Sequence, residues 1–156
     1  MLPSPRIDDV DLKLVRLLAK DSRRSIRDLA KELGLAGSTV HARLRRLVES
    51  GIIRRFTILP DYDALGYTVT AIVLLQVEGG KILDAGEYIA RDPGVMAVYD
   101  ITGDYDLAVV AKFRNVNELD KFLKKINRLP YIKRSVTSLV LRPIKEDFAS
   151  PLAENQ

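Results

Sequence analysis

Two short amphipathic stretches separated by a glycine-rich turn constrain this chain more than any other feature. In residues 26–33, apolar side chains recur at i, i+3, i+4 and i+7, which is the spacing of one helix face. In residues 40–48 they recur at i, i+4, i+7 and i+8. Between the stretches, Gly34 can adopt the left-handed conformation that ends a helix, and Leu35 can fold back onto the core. The pattern therefore predicts a helix-turn-helix.

The outward side of the second helix carries small polar groups near its start and guanidinium groups further along. Such a face suits a DNA groove and the phosphates beside it. The β-prone run 52–59 follows, and we interpret it as a wing or a connecting strand whose two arginines can lie beside a phosphate. The predicted partner is double-stranded DNA, and the predicted DNA-contacting residues are Ser25, Ser38, Thr39, His41, Ala42, Arg43, Arg45, Arg46, Arg54 and Arg55.

A third helix is predicted before the pair. Asp8, Asp9 and Asp11 place carboxylates at the positive end of its dipole, and the helix is expected to run to about Lys20. Ser25 is placed to cap the following helix. The three helices should pack as one trihelical core.

Charge is distributed unevenly along the 156 residues. Residues 1–60 hold 13 Lys and Arg against 7 Asp and Glu, whereas residues 61–156 hold 12 against 14. A basic head joined to a slightly acidic body is the electrostatic footprint of a polyanion-binding domain attached to a domain with another task.

Composition excludes several classes of site. The chain has no cysteine and one histidine, which excludes disulfides, thiolate metal sites and multi-histidine metal centres, so we expect neither a metal nor another cofactor. No run approaches the ~18 apolar residues of a membrane span. The N-terminus has Pro3 and Pro5 where a signal peptide would have an apolar run, so a cytoplasmic location away from membranes is expected.

The second half predicts a β-α-β-β-α-β order, which is the ferredoxin-like arrangement. Each helix is followed by a proline at a matching point, Pro93 and Pro130, as two β-α-β halves would require. The fold class is therefore α+β, with an N-terminal (winged) helix-turn-helix followed by a ferredoxin-like sandwich. The predicted strands are Tyr67–Val77, Met96–Thr102, Leu107–Phe113 and Arg134–Leu141.

A turn is predicted at Pro60-Asp61-Tyr62-Asp63, because these residue types favour turns. The charge balance of the chain changes sign at the same point. This composition sets the predicted domains at 1–60, 61–145 and a polar C-terminal tail at 146–156. In the second domain one sheet face should take the two helices. The other face is expected to keep side chains such as Val73, Leu75, Val109 and Val140, and to need the same face of another subunit. A homodimer follows.

Short motifs along nearly the whole chain resemble those of the Lrp/AsnC (leucine-responsive, or feast/famine) transcriptional regulators. One departure is Ala36, where members of the family usually place a serine that caps the recognition helix. The matching motifs are Asp8-Asp9-Val10-Asp11, Leu17-Leu18, Asp28-Leu29-Ala30, Gly34-Leu35, Ser38-Thr39-Val40, Arg43-Leu44-Arg45-Arg46-Leu47, Glu49-Ser50-Gly51-Ile52-Ile53, Leu65-Gly66-Tyr67 and Gly103-Asp104-Tyr105-Asp106.

The resemblance implies an amino-acid effector pocket where dimers meet, and assembly of dimers to a tetramer or octamer. In the residues alone, Gly103-Asp104 suits the centre of a type II′ hairpin turn. Chemically, Asp104 or Asp106 could hold an α-ammonium group. The effector-binding residues implied are Thr102, Gly103, Asp104, Tyr105, Asp106, Thr137 and Ser138.

Three functions remain open on the sequence. The leading hypothesis is a sequence-specific transcriptional regulator, not an enzyme, that responds to an amino acid or a related metabolite. Architectural DNA binding with little sequence preference is an alternative, and a specificity ratio at fixed salt would separate the two. A stand-alone metabolite-binding protein or enzyme is another, although it would not need the first 60 residues. His41 lies among arginines on an exposed helix face, which does not favour a catalytic base.

Overall fold

The computed structural model describes residues 6–152, and the α+β fold predicted from the sequence is confirmed there. Its element order is helical first and mixed afterwards. The elements are α1 (Asp9–Lys20), α2 (Ile26–Leu33), α3 (Gly37–Glu49), β1 (Val69–Val77), α4 (Ile82–Ala90), β2 (Val95–Asp100), β3 (Leu107–Phe113), α5 (Val116–Asn127), β4 (Ile132–Leu139) and a 3-10 turn (Ser150–Leu152).

The described residues form two compact units. The first, the helical unit, takes residues 6–59 and 145–152, and the second, the sheet unit, takes residues 60–144. The 3-10 turn belongs to the segment predicted as a tail, and it lies close to α1 within the helical unit. Residues 153–156 of that tail, like Pro3 and Pro5, lie outside the described residues. Between residues 6 and 152, the structure has no helix whose length and apolar character would suit a membrane span.

The helical unit is ordered by caps at its helix ends and by one small core. A capping box opens α1, because the Asp11 N–H donates to Asp8 Oδ1 at 2.8 Å and the Asp8 N–H donates to Asp11 Oδ2 at 3.2 Å. Gly34 ends α2 at φ 67°, in the left-handed conformation that the turn requires. The buried core consists of Leu14, Leu18, Leu29, Ala30, Val40 and Leu47.

The segment after α3, residues 52–59, was predicted to be a wing or a connecting strand, and the strand does not form within the described residues. Residues 52–59 form no strand, although Ile53 caps the helix by donating its N–H to Leu47 O at 3.0 Å. High β propensity reflects a fit to a pleated, partly buried surface, so a strand needs a neighbour beside it. Within residues 6–152, β1 to β4 pair only with one another. Phe56 and Ile58 consequently remain 51% and 80% exposed.

The sheet unit is a four-stranded antiparallel sheet in the order β2-β3-β1-β4. This order results from two β-α-β halves, as predicted. Two of the strands begin one or two residues earlier than expected: β2 starts at Val95 and β4 at Ile132. The helices α4 and α5 cover one face, and their apolar side chains form a single core with alternate residues of β1 and β3.

The face assignment made from the sequence is wrong for three of the four residues it named, and the strand register keeps only Val140 on the open face. Val73, Leu75 and Val109 are 0% exposed and lie beneath the helices, not on the open face. The odd-numbered set of β1 is apolar throughout, whereas the even-numbered set mixes Ile72 and Leu74 with Thr70 and Gln76. The alternation shows that both faces of the strand need some cover, but it does not say which cover is the helices and which is another subunit. Val140 is half-buried just after β4. The open face instead carries Ile72, Leu74, Val110 and Val136, as the strand register shows.

Candidate nucleic-acid interface and ligand loop

The start of α3 presents a free polar surface. Four of the predicted DNA-contacting residues are exposed there: Ser38, Thr39, His41 and Ala42. Ala36 is the N-cap of α3 and makes no side-chain capping bond, so the N–H groups of the first turn lack the acceptor that a hydroxyl would supply. A helix whose first turns are exposed is the geometry that reaches base edges in a major groove.

Further along α3, two arginines turn back to the start of α1. Arg43 Nη1 lies 2.7 Å from Asp8 Oδ2 and 2.8 Å from Asp11 Oδ1, and Arg46 Nη2 is hydrogen-bonded to Asp11 Oδ2. The Asp11 side chain is completely buried, whereas those of Arg43 and Arg46 are 26% and 48% exposed. The Asp11 carboxylate therefore joins α3 to α1 through two charge-assisted bonds.

The pKa values agree with this network. The hydrogen bond from Arg43 lowers the pKa of Asp8 below its usual value. Burial raises the pKa of Asp11, but hydrogen bonds from Arg43 and Arg46 outweigh the burial and the net pKa is lowered. Bonds to Asp8 and Asp11 raise the pKa of Arg43. Both carboxylates are ionised at neutral pH, and their charge holds the guanidinium groups in place.

Two predicted DNA-contacting residues also make bonds within the helical unit. Arg43 bonds through Nη1 to α1, and its side chain is 26% exposed. Ser25 caps α2: its hydroxyl accepts from the Asp28 N–H at 3.1 Å and donates to Asp28 Oδ2 at 2.6 Å. The single hydroxyl proton of Ser25 is thus already used.

Asp11 is the functional residue that the sequence reasoning assigned only to the helix dipole. The signal that could have revealed its role is the Asp8-x-x-Asp11 spacing, because a capping box turns both carboxylates toward the same helix end. Which arginines meet that helix end is decided by the packing of α3 against α1.

Four predicted arginines are exposed, and one of them, Arg46, is already bonded to Asp11. Arg45 is 70% exposed, with its Nε 3.5 Å from Glu49 Oε1, and a surface pair of this kind holds a side chain only weakly. Arg54 and Arg55 are exposed in the extended segment after α3. These three guanidinium groups, with the start of α3, are the available cationic and polar groups among the residues predicted to contact DNA.

The loop between β2 and β3 is the predicted ligand loop. The Ile101 N–H donates to Asp106 O at 2.9 Å and closes a loop of four residues, 102–105, in place of the two-residue type II′ turn that was expected. Gly103 has φ 116°, which a side chain would not easily allow. Thr102, Gly103 and Asp104 are exposed.

The two aspartates of the loop have different surroundings. Asp106 is fixed to β1, because its Oδ2 accepts from the Val77 N–H at 2.7 Å and its own N–H donates to Leu75 O at 2.9 Å. Asp104 is exposed, and its backbone carbonyl accepts from Gln76 Nε2 at 3.3 Å. Asp106 is therefore an anchor of the loop, and Asp104 is the carboxylate that a ligand can approach.

The neighbouring strand contributes a cation that the sequence reasoning missed. Arg134 Cζ lies 5.9 Å from the centre of the Tyr105 ring, beside the loop. Thr137 and Ser138 are adjacent in β4 and therefore point to opposite faces, with Thr137 opposite Val73 and Ser138 opposite Ile72. In this chain alone the structure does not bring those two side chains together at the loop.

Between residues 6 and 152, no three side chains that could ligate a metal ion lie grouped together. His41 is exposed on α3, where no carboxylate bonds to it. What the site offers is a polar helix face with arginines and, in the other unit, a loop with an accessible carboxylate.

Comparison with known proteins agrees with this division. Residues 70–150 match the family described as the Lrp/AsnC ligand binding domain, and residues 7–54 match a winged helix-turn-helix DNA-binding family. An uncharacterised HTH-type transcriptional regulator of Pyrococcus abyssi is 42% identical over 142 residues, which cover 91% of this chain and 97% of the relative.

Solved structures share the fold over the same length. The structure of B. subtilis LrpC has a TM-score of 0.77 at 28% identity and covers 90% of this chain and 98% of its own. The transcriptional regulator NMB0573 from Neisseria meningitidis, solved as its L-Met complex, has a TM-score of 0.81 at 23% identity and covers 92% and 96%. At the latter identity the likeness concerns the fold.

Proposed function

This chain belongs to the Lrp/AsnC family of transcriptional regulators. We propose that it reads a specific DNA site through the start of α3. We further propose that its DNA binding changes when an amino acid or a related small metabolite occupies the β2–β3 loop. The observation that carries the proposal is the pairing, in one chain, of an exposed recognition-helix face with a loop that presents an unbonded carboxylate. Neither surface has the oriented base and cleft that catalysis requires. The role is binding, in the cytoplasm where its DNA is found.

DNA contact divides between base edges and phosphates. Ser38, Thr39 and His41 stand where a recognition helix meets base edges, while Arg45, Arg54 and Arg55 can neutralise phosphates. Arg43 and Arg46 act indirectly, because their bonds to Asp8 and Asp11 set how far α3 projects from the unit.

A homodimer formed through the open sheet face is part of the proposal. Helices α4 and α5 leave that face open, and Ile72 and Tyr99 on it are 40% and 47% exposed. At one end of the same face, Thr70 and Lys112 are buried, and Lys112 lies beside the ring of Tyr62. Burying such a face against its own copy removes apolar surface from water and places two recognition helices in one particle. Further assembly to a tetramer or octamer would bring ligand loops of neighbouring dimers together.

In the loop, Asp104 is proposed to hold the ammonium group of the effector. NMB0573, which shares the fold, was solved with L-Met, so an amino acid is the first ligand class to test. An effector alters DNA binding only if it favours one assembly over another, since equal affinity for both would shift nothing.

The test combines selection on random DNA with calorimetry. Selection should return one pseudo-palindromic motif, and Arg45→Ala should keep the motif while lowering the log-log salt slope by ~0.9. If selection returned no motif and the protein bound all sequences with equal affinity, architectural DNA binding would replace the proposal.

For the effector arm, a panel of free amino acids is titrated into the wild-type protein and into Asp104→Ala, which leaves the Asp106 anchor intact. At least one amino acid should bind the wild-type protein, lose affinity in the variant and shift its assembly in sedimentation. Absence of any binding at millimolar concentrations would leave a DNA-binding protein without this sensor.

A further inference from the structure

A cationic groove runs between α4 and α5 on the helical side of the sheet unit. Its volume is about 420 Å³, and α5 with the residues just after it supplies most of its wall. No carboxylate is among the residues that line it, which are Tyr88, Lys121, Lys124, Lys125, Arg128 and Leu129.

The four cations share one stripe. Lys121, Lys124, Lys125 and Arg128 occupy i, i+3, i+4 and i+7, so their side chains stand on one side of the helix. Lys124 Nζ lies 2.6 Å from Asp120 Oδ2, and Lys125 Nζ lies 3.0 Å from Asp92 Oδ2.

Two of the cations keep their charge available. In the part of the chain that the structure describes, neither Lys121 nor Arg128 forms an ion pair with a carboxylate. The groove therefore carries about two uncompensated positive charges at neutral pH.

Helix capping explains only part of this stripe. Cations are favourable in the last turn of a helix, which accounts for Lys124 and Lys125. Lys121 lies a full turn earlier, where the dipole gives little benefit. Residues 61–156 hold more acidic than basic side chains, 14 against 12, so this concentration of cations is not the general character of that part of the chain.

We propose that this groove binds backbone phosphates of DNA outside the segment read by the helix-turn-helix. The inference rests on the proposed DNA-binding function, and the ligand is chosen by charge complementarity. Ammonium groups on long flexible stems suit phosphates as point charges and carry little base selectivity. The groove would thus add affinity for longer DNA without changing which sequence is preferred.

The experiment compares a groove variant with a charge-matched control in the full chain. The groove variant is Lys121→Gln with Arg128→Gln. The control is Lys133→Gln with Arg142→Gln, which removes one exposed lysine and one exposed arginine of the same unit that do not line the groove. Affinity is measured against salt for a short duplex holding only the selected site and for a duplex with long flanks.

With the long duplex, the groove variant should lose about 0.9 of log-log salt slope per phosphate contact, so two contacts lower it by about 1.8. The short duplex should bind both variants with wild-type affinity and slope, and the control should match wild type on both duplexes.

Equal slopes for the groove variant and the control on the long duplex would overturn the proposal. The proposal would also be overturned if the groove bound inorganic pyrophosphate and the length of the DNA had no effect on affinity. The groove would then be a small-anion site. Loss of binding to the short duplex in wild type would instead refute the proposed DNA-binding function itself.

Discussion

The two units of this protein are stabilised in different ways. The helical unit has a buried core of six residues, and its DNA-reading helix is tied to α1 by a fully buried carboxylate. The sheet unit has a core of thirteen buried residues, and its ligand loop lies at the end of the sheet, outside that core. In the first unit the same bonds support both stability and the recognition surface, whereas in the second the two are separate.

This difference indicates where each unit tolerates change. A small core supplies little hydrophobic stabilisation, so the helical unit depends more on charge-assisted bonds between its helices. The sheet unit can vary Asp104 without touching its core, which suits the proposed role of the loop in binding a ligand. The experiments below compare matched residues within each unit.

The largest effect is expected in the sheet core. Leu75→Ala removes a completely buried side chain beneath the helices and should lower the free energy of unfolding by about 3 kcal/mol. All six tyrosines lie between residues 62 and 131, so tyrosine fluorescence during urea unfolding reports on this unit. The matched change Leu74→Ala, on the open face, should cost less than half as much but weaken dimerisation in sedimentation. The reverse order would mean that the open face is the structural core.

The next effect tests the charged network. Asp11→Asn leaves Arg43 and Arg46 facing a neutral group and should destabilise the helical unit by about 2–3 kcal/mol, below the usual cost for breaking a buried pair because both arginines are partly exposed. Asp9→Asn, an exposed change in the same helical turn, is the control. Because α4 and α5 also contribute to helical circular dichroism, the unfolding curves of both variants are compared with tyrosine fluorescence, which follows the sheet unit. If the two variants unfold at the same urea concentration, the network contributes no stability and Asp11 would be only a cap.

Acid should lower the stability of the helical unit more than that of the sheet unit. The lowered pKa values of Asp8 and Asp11 mean that their stabilisation is present above the unfolded value of about 4 and is lost as the pH falls through the folded values. The helical dichroism should therefore report melting at a lower temperature at pH 3 than at pH 7. Asp11→Asn should show a smaller pH dependence than wild type. An unchanged pH dependence in the variant would remove Asp11 as its cause.

The smallest expected effect is a gain in the stability of the helical unit. Ala36→Ser supplies the missing hydroxyl cap of α3 and should stabilise the helical unit by about 1 kcal/mol, while Ser25→Ala at the α2 cap should remove a similar amount. Thermal melts followed by helical dichroism compare them. If Ala36→Ser gives no gain, the first turn of α3 already obtains acceptors from another source.

Much of the fold followed from local pattern. Gly34 was predicted to end α2 in the left-handed conformation, and it does so at φ 67°. The strand β3 was predicted with its observed bounds, and α1 with its observed end at Lys20. These features depend on residues close together in the chain, where spacing and backbone preference decide the outcome.

Two of the misassigned features involve a partner distant in sequence, and the third is the length of a loop. The run 52–59 has strand propensity but no neighbouring strand in this chain, and the open face of β1 was assigned to the wrong alternating set. The β2–β3 loop is longer than the two-residue turn expected, because the strand register sets where it closes.

By itself, the sequence determined the order of elements, the division into a basic helical half and a sheet half, and the position of the recognition helix, because each follows from local periodicity, capping and charge. Only the tertiary structure decided that Arg43 and Arg46 bond to Asp8 and Asp11, that Asp106 anchors its loop while Asp104 stays accessible, and that the α5 cations line a groove. The direction of a charged side chain depends on which opposite charge lies within about 3–4 Å, and chain folding, not sequence spacing, brings such groups together.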